Sequence, residues 1–234
     1  MNTIDQNKAE DLPGNRIIEA YVGEYASGKS ENAVNRALDL ADKGRKVTLV
    51  DLDTVEPCYT LRPLKGPLSE LGIDVIAWET KQLIGLGEAG MVLHPHIPLV
   101  LHRQGDIILD VGYGVGGART LNLVEGAQTS QDLRVLVVIN VSRPMTSTLE
   151  DIVEYIRGIG RVDGIINNSH LGTETDLEII QRGVYLVTEA AHKLGLPVEA
   201  TVVEERWREV IGPIDCLGNP VRFLRKRFMA DSFW

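Results

Sequence analysis

Residues 23–30, with the sequence GEYASGKS, restrict the fold of this chain more than any other segment. They match the pattern G-x-x-x-x-G-K-[ST], and the apolar run RIIEAYV comes directly before them. Apolar residues at helical spacing follow: Ala33, Val34, Ala37, Leu38 and Ala41. A strand, a glycine-containing turn and a helix in this order point backbone amides at an anion, in front of the positive end of the helix. The pattern therefore predicts a phosphate-binding loop, although the sequence does not explain why Glu19 lies in the apolar run.

The residues of this loop carry distinct expectations. Lys29 is expected to bridge the β- and γ-phosphates of a nucleoside triphosphate and to act in catalysis, and the Ser30 hydroxyl is expected to hold Mg²⁺. The remaining loop residues are expected to wrap the phosphates with their backbone: Gly23, Glu24, Tyr25, Ala26, Ser27 and Gly28.

Further apolar runs alternate with helical patterns along the rest of the chain. Strands are predicted at 16–23, 46–53, 74–78, 106–112, 134–140, 161–168 and 196–202. Helices are predicted between them, at 95–104, 146–158 and 176–194 among other places. This alternation predicts an α/β fold, a single doubly wound, mainly parallel sheet with helices on both faces. Ligands of such sheets lie at the carboxyl ends of the strands.

Length and composition agree with one soluble domain. The chain has 234 residues, of which 44% are hydrophobic, and its net charge is −9. We expect a flexible leader at 1–15 and one nucleotide-binding domain at 16–234, in the cytoplasm. The negative charge argues against binding to nucleic acid. The C-terminal segment, 221–234, mixes basic and apolar residues and predicts an amphipathic helix, for which docking on the domain is favoured over contact with a membrane.

Polar residues follow three of the predicted strands. Asp51 and Asp53 end the second strand; beside a triphosphate, one carboxylate of this pair suits a magnesium-bound water and the other suits the attacking water. Asp110 ends a later strand before Gly112 and Gly114, and it suits the magnesium shell. Asn168 ends a further strand, and its amide suits the edge of adenine, although asparagine also favours a simple turn.

The ordered set GEYASGKS, VDLDTVEP, DVGYG and NNS resembles the MinD/ParA branch of P-loop NTPases, within the wider group of CobQ/CobB/MinD/ParA nucleotide-binding domains. The resemblance implies Mg-ATP as the bound nucleotide and a nucleotide-dependent homodimer. It also implies roles for single residues. Asp51 and Asp110 would serve the metal together with Ser30, Asp53 would act on the attacking water, and Gly114 and Asn168 would contact the nucleotide.

The chain departs from this family at Glu24, where most members carry a lysine that reaches the phosphates of the other subunit. Arg62, Lys65 and Arg119 are candidates for a replacement cation, although each also suits a solvated surface position. Cys58 and Cys216 have no neighbouring cysteine, so no iron–sulfur cluster is expected. His94, His96 and His102 lie close together in sequence, but no further ligand completes a recognised metal-binding spacing.

These patterns leave three functions open. The first is a Mg-ATP-dependent switch that acts on a protein partner and hydrolyses ATP slowly until the partner stimulates it. The second is a biosynthetic ligase or synthase that activates a carboxylate with ATP, similar to cobyrinic acid or dethiobiotin synthases. The third is a scaffold that binds the nucleotide without hydrolysing it, against which the presence of Lys29, Ser30, Asp53 and Asp110 argues.

Overall fold

A single parallel sheet organises the chain. The computed structural model describes residues 15–53, 61–77 and 94–225. Within these ranges the sheet has eight strands in the order β3-β2-β4-β1-β5-β6-β7-β8, and all neighbouring strands are parallel. The strands are β1 (Ile18–Gly23), β2 (Val47–Leu52), β3 (Ile73–Ile76), β4 (Asp106–Val111), β5 (Leu133–Ile139), β6 (Gly164–Asn167), β7 (Val198–Glu204) and β8 (Val221–Leu224).

Helices cover both faces of the sheet, as the predicted doubly wound α/β fold requires. They are α1 (Lys29–Asp42), α2 (Lys65–Glu70), α3 (Gly114–Ala118), α4 (Leu149–Ile159), α5 (Leu177–Leu194) and α6 (Arg208–Ile211). One buried cluster joins α1 and α2 to the sheet, and a second joins α3, α4 and α5 to the opposite face. Because both faces are covered, the central strands are apolar in nearly every position.

The two longest helices on the second face have recognisable ends. The Thr148 hydroxyl accepts a hydrogen bond from the backbone of Asp151, whose carboxylate accepts one from the backbone of Thr148, so a capping box begins α4. The Asp176 carboxylate caps α5 by accepting from Ile179, and Gly195, in the left-handed conformation, ends this helix.

The central position of β1 determines where a ligand can bind. The strand lies between β4 and β5, and the chain runs outward from it towards β3 on one side and towards β8 on the other. Connections leave β1 and its neighbours in opposite directions, which opens a crevice at their carboxyl ends. The predicted phosphate loop directly follows β1 and therefore lies at this crevice.

Two predicted helices are wrong where the structure describes them. The residues of 95–104 form turns and one short 3₁₀ helix, Val100–His102, because Pro98 and the polar turn before it interrupt the helical pattern. The segment predicted to begin the C-terminal amphipathic helix is instead strand β8, which pairs with the edge of β7. Residues 226–234, most of the predicted leader and Cys58 lie outside the described residues.

Glu19, which the sequence did not explain, forms a buried ion pair beneath α1. Its side chain points to the α1 face of β1, where the Arg36 guanidinium donates to both carboxylate oxygens at 3.1 and 3.0 Å. The Tyr21 hydroxyl donates to the same carboxylate at 2.8 Å. Burial would raise the pKa of Glu19, but Arg36 and the more distant Arg222 outweigh it, so the pKa lies below its ordinary value. A paired carboxylate is therefore tolerated in the central strand.

Replacing Arg36 with leucine should destabilise the fold by about 3–5 kcal/mol, because it leaves the Glu19 charge buried without its closest partner. The free energy of unfolding in urea at neutral pH measures this loss.

The matched control is the double variant Glu19→Leu/Arg36→Leu, which removes both charges. It should recover much of the stability, since an apolar pair can replace a buried ion pair at little cost. A double variant as unstable as Arg36→Leu would contradict this account of Glu19.

Candidate nucleotide site

Two glycines of the loop lie so close to neighbouring atoms that no larger residue fits at their positions. A Cβ atom on Gly23 would lie 2.6 Å from the carbonyl oxygen of Val138, and one on Gly28 would lie 2.1 Å from Nδ2 of Asn168. Gly28 also has a φ of 93° at the start of α1. The first and last glycines of the pattern therefore let the loop fold tightly between β5 and the end of β6.

The loop places Lys29 beneath its own backbone. The Lys29 ammonium, in a side chain that is mostly buried, donates to the carbonyl oxygen of Glu24 at 3.1 Å. Burial lowers the pKa of Lys29, while the carboxylates of Asp110, Asp53 and Glu24 oppose this shift. The cation is thus held at the floor of the loop, where an incoming phosphate can take over its hydrogen bond.

Asp51 and Asp110 are neighbours across two strands and share a buried environment. They lie side by side in the register of β2 and β4, and only 9% and 2% of their surfaces are exposed. Burial raises the pKa of Asp51 to about 7 and that of Asp110 to about 8, and the negative charges of nearby carboxyl groups add to both shifts.

The two carboxyl groups have different hydrogen-bond partners. Asp110 bonds to the Ser30 side chain, but its Oδ1 atom is buried with no partner among the described residues. Asp51 accepts backbone hydrogen bonds from Asp53 at 3.0 Å and from Leu61 at 3.3 Å. An orphaned buried oxygen beside a serine hydroxyl fits a Mg²⁺ shell, so Ser30 and Asp110 suit the metal better than Asp51, which ties two backbone segments together.

Asp53 follows β2 and Gly114 follows β4, and both lie near the loop. A Cβ atom on Gly112 would lie 3.2 Å from Oδ1 of Asp53, so the turn after β4 allows this carboxylate to come close. Gly114, with a φ of 72°, begins α3 beside Glu24. The Glu24 carboxylate folds back to accept from the backbone of Tyr25 at 2.8 Å. The burial of Tyr155 raises the pKa of its hydroxyl, and the negative charge of Glu24 adds to this shift.

A cavity of about 360 Å³ extends from the loop along the carboxyl ends of the strands. Lys29, Ser30 and Asp53 line one part of it. Its other lining includes Asn168 and an apolar group consisting of Ile180, Val202, Val203, Trp207 and Leu224. A polar part rich in loop residues and an apolar part with few polar groups are the features of a site for a phosphorylated, flat-ringed ligand.

The orientation of Asn168 is fixed by the loop. Its Nδ2 group donates to the carbonyl oxygen of Ser27 at 2.7 Å, and its backbone amide donates to Ile139 at 2.8 Å. Because the amide nitrogen is used in this way, Oδ1 is left as the acceptor of this side chain. The structure therefore places Asn168 against the loop, where its side chain supports the Ser27 carbonyl. Its contact with a base stays a prediction.

Sequence reasoning missed Arg143, which follows β5. Its Nε donates to the carbonyl oxygen of Ala26 at 3.0 Å, and its side chain lines the cavity. The cations proposed from sequence do not line this cavity; they are Arg62, Lys65 and Arg119. Arg62 is close enough for its charge to offset part of the rise in the pKa of Asp51. No motif marks Arg143, because 117 positions separate it from Ala26.

Other polar groups considered from sequence form no comparable site. The rings of His94 and His96 lie 5.0 Å apart, whereas His102 is 3.8 Å from Glu125. Within 15–53, 61–77 and 94–225, no group of three or more His, Cys, Asp or Glu side chains converges as a metal cage. Mg²⁺ with a nucleotide needs no such cage, since phosphates and water supply most of its ligands.

In the same ranges no helix is long and apolar enough to cross a membrane.

Solved structures share this arrangement of strands and helices. The cell division protein FtsY from Thermotoga maritima aligns with a TM-score of 0.56 and 18% identity, over 86% of this chain and 66% of that one. FtsY from Elizabethkingia anophelis in complex with GDP gives 0.55 and 15%, over 82% and 58%. FlhF complexed with GTP and Mg²⁺ gives 0.50 and 14%, over 80% and 65%.

The chain has the P-loop NTPase fold. It spans less than two thirds of the length of these three proteins, and the low identities carry the fold alone. No family model and no curated protein matches the chain. The resemblance to the MinD/ParA branch stays a prediction, since these structural neighbours are two FtsY proteins and FlhF.

The buried carboxyl of Asp110 should make the ligand-free protein less stable as the pH rises. Its pKa of about 8 in the folded chain lies above the ordinary value of 3.8, so the folded state holds a proton that the unfolded chain releases. This stabilisation is complete below the lower value and is lost as the pH rises through the higher one. Asp110→Asn should weaken the dependence, leaving the part that the raised pKa of Asp51 contributes, and should stabilise the protein by about 1–2 kcal/mol on the alkaline side.

Urea denaturation of nucleotide-free and metal-free protein at about pH 6 and about pH 9 measures this effect. The control is Asp132→Asn, which changes an exposed carboxyl far from the loop. Equal pH dependence in the wild type and Asp110→Asn would show that Asp110 is charged in the folded chain throughout this range.

Proposed function

We propose that the protein binds Mg-ATP at the loop and hydrolyses it slowly as a switch for a protein partner. A single observation carries this proposal: Lys29, Ser30 and Asp53 line the same cavity as Asn168. The residues proposed to hold the phosphates, to orient water and to contact the base therefore line one continuous space. This is the arrangement that positioning and charge stabilisation in phosphoryl transfer require.

The residues of the chain take defined parts in hydrolysis. Lys29 leaves the Glu24 carbonyl and holds the β- and γ-phosphates, and the loop amides bind their oxygens. Ser30 and Asp110 would hold Mg²⁺, with Asp51 beside them, and the bound metal supplies positive charge to the phosphates. Asp53 orients a water whose oxygen forms a bond to the γ-phosphorus. The bond from that phosphorus to the β–γ bridging oxygen breaks, and the proton of the water passes to the released phosphate and solvent.

The choice of ATP rests on the base end of the cavity. The free Oδ1 of Asn168 is an acceptor and suits the exocyclic amino group of adenine. Recognition of guanine usually uses a carboxylate for its two edge donors. The carboxylate at this end of the cavity, Glu204, lies 3.3 Å from the Arg206 guanidinium, so it has a competing partner. The solved relatives bound to GDP and GTP make the guanine nucleotide the comparison to run.

Lys29→Ala tests the proposal at its centre. Removing the ammonium should weaken ATP binding by about 10- to 100-fold, as expected for a lost hydrogen bond to a charged group. Isothermal titration with Mg-ATP and Mg-GTP, on the wild type and the variant, measures both affinity and base preference.

The outcomes of this titration differ in meaning. The assignment of an ATP site at this loop is supported if the wild type binds ATP more tightly than GTP and Lys29→Ala weakens ATP binding. Tighter binding of GTP would overturn the adenine assignment but leave the loop intact. Equal affinity of the wild type and Lys29→Ala would show that the nucleotide does not bind at this loop. Thermal denaturation of both proteins serves as the folding control.

Asp53→Ala separates a switch from a synthase. The variant should keep its affinity for ATP while hydrolysis slows by about 100-fold, because the water loses its orienting group. The trapped triphosphate state should then accumulate, and light scattering after size exclusion should show a dimer with Mg-ATP and a monomer with Mg-ADP.

A mass that is the same with both nucleotides would contradict the nucleotide-dependent dimer. If wild-type ADP release also required an added small carboxylate, the ATP-dependent synthase would replace the switch. Full hydrolysis by Asp53→Ala would contradict the role of Asp53 in positioning water.

A further inference from the structure

Arg143 reaches the phosphate loop from a different strand. It lies in the turn that follows β5, whereas the loop follows β1, which is the neighbour of β5 in the sheet. Its Nε donates to the carbonyl oxygen of Ala26 at 3.0 Å. Ala26 has a φ of 54° and is the non-glycine residue with positive φ among the described residues. The guanidinium is therefore hydrogen-bonded to the loop residue that adopts a left-handed backbone conformation without being glycine.

The turn that carries Arg143 is held in place by a buried asparagine. The Asn140 side chain is fully buried; its Oδ1 accepts from the backbones of Ser142 at 3.0 Å and His170 at 3.2 Å. Its Nδ2 donates to the His170 carbonyl at 3.1 Å. The Asn140 carbonyl accepts from the backbone of Arg143 at 3.0 Å and from the Thr146 hydroxyl at 2.8 Å. The start of the Arg143 side chain is thus preorganised relative to the sheet.

The charges around the cavity call for a second cation. The lysine and arginine side chains that line it, within the described part of the chain, are Lys29 and Arg143. The carboxylates of Glu31, Asp53 and Glu204 line it as well, and Glu24 adds another in the loop itself. A triphosphate brings further negative charge, and charge develops on its oxygens during transfer. Besides Lys29 and the proposed Mg²⁺, Arg143 is the cationic side chain of the described cavity lining that can offset this charge.

The guanidinium has donors to spare. Among the described residues, the hydrogen bond of the Arg143 side chain to the loop uses Nε. A guanidinium has roughly five N–H donors, and those on Nη1 and Nη2 remain for a ligand. Arginine keeps its charge at any accessible pH and forms a fork that fits two phosphate oxygens. The side chain can therefore hold the loop and a phosphate at the same time.

We propose that Arg143 is a catalytic residue that contacts the phosphate chain of the nucleotide in cis. This inference rests on the nucleotide hydrolysis proposed above. The β5–α4 turn supplies from within the same chain the positive charge that Glu24 does not provide. Arg143 binds the ground-state phosphates weakly and contributes most when charge builds on the oxygens between the β- and γ-phosphates.

The experiment compares Arg143→Ala and Arg143→Lys with the wild type in steady-state ATP hydrolysis and in titrations with ATP and ADP. The matched control is Arg182→Ala. Arg182 is also an arginine that donates to a backbone carbonyl, that of Ser147 at 3.1 Å, but it is exposed and does not line the cavity. Thermal denaturation of all four proteins reports whether a change acts through folding.

Arg143→Ala should lower kcat by about 100-fold, the scale of one lost transition-state donor, with a smaller change in the affinity for ATP than in kcat. Arg143→Lys should keep part of the activity, since a point charge replaces a fork. Added guanidinium ion should raise kcat of Arg143→Ala several-fold, and NaCl at the same ionic strength should not. Arg182→Ala should hydrolyse ATP at the wild-type rate.

A purely structural clamp on Ala26 predicts a different set of results. Affinities for ATP and ADP would fall equally in Arg143→Ala, kcat at saturating ATP would stay at the wild-type value, and guanidinium would not rescue; this outcome overturns the proposal. A wild-type protein that neither binds nor hydrolyses ATP would overturn the proposed function itself, and the role of Arg143 with it.

Discussion

Hydrogen bonds to the carbonyl oxygens of the phosphate loop hold the candidate site together. The carbonyl of Glu24 accepts from Lys29, that of Ala26 accepts from Arg143, and that of Ser27 accepts from Asn168. When side-chain donors occupy the carbonyls of a tight loop, the amides without a partner in the loop can serve an anion. The amides of Tyr25 and Ser27 already donate to the carboxylate and the carbonyl of Glu24. The shape of the proposed anion site therefore depends on three side chains that donate to the loop carbonyls. These side chains come from α1, the end of β5 and the end of β6.

The buried charges of the chain show two different solutions to the cost of desolvation. Glu19 is paired with Arg36 and bonded by Tyr21, so its charge is compensated and serves the fold. Asp110 is equally buried, but it lies near Asp51, and its Oδ1 has no hydrogen-bond partner among the residues that the structure describes. An uncompensated carboxyl of this kind lowers stability and is retained where a ligand provides the missing charge. The contrast distinguishes a paired acid from an acid with room for a cation, as the proposed metal site requires.

Asp51 and Arg143 both form hydrogen bonds with backbone groups around the candidate site. Asp51 joins Asp53 to Leu61, so it fixes both ends of the segment that follows β2. Arg143 and Asn168 fix the loop from the other side. A nucleotide that displaced one of these contacts would release a loop carbonyl or amide that it now holds, which is the kind of change that the proposed switch requires.

The sequence by itself determined the phosphate loop, the alternation of strands and helices, and the placement of Asp53, Asp110 and Asn168 at strand ends. These features are local: a glycine pattern between an apolar run and an amphipathic run can be recognised within about 30 residues. The sequence also predicted the doubly wound parallel sheet, because apolar strands separated by helices leave few other arrangements.

Only the tertiary structure decided the partner of Glu19, the contact of Arg143 with the loop and the strand character of β8. Arg143 and Ala26 are 117 positions apart, and Asn168 and Ser27 are 141 apart, so no spacing rule connects them. The segment of β8 has basic and apolar residues that suit a helix equally well, and pairing with the open edge of β7 settles the competition. Local patterns report which backbone each segment favours, whereas the strand order of the sheet determines which side chains meet.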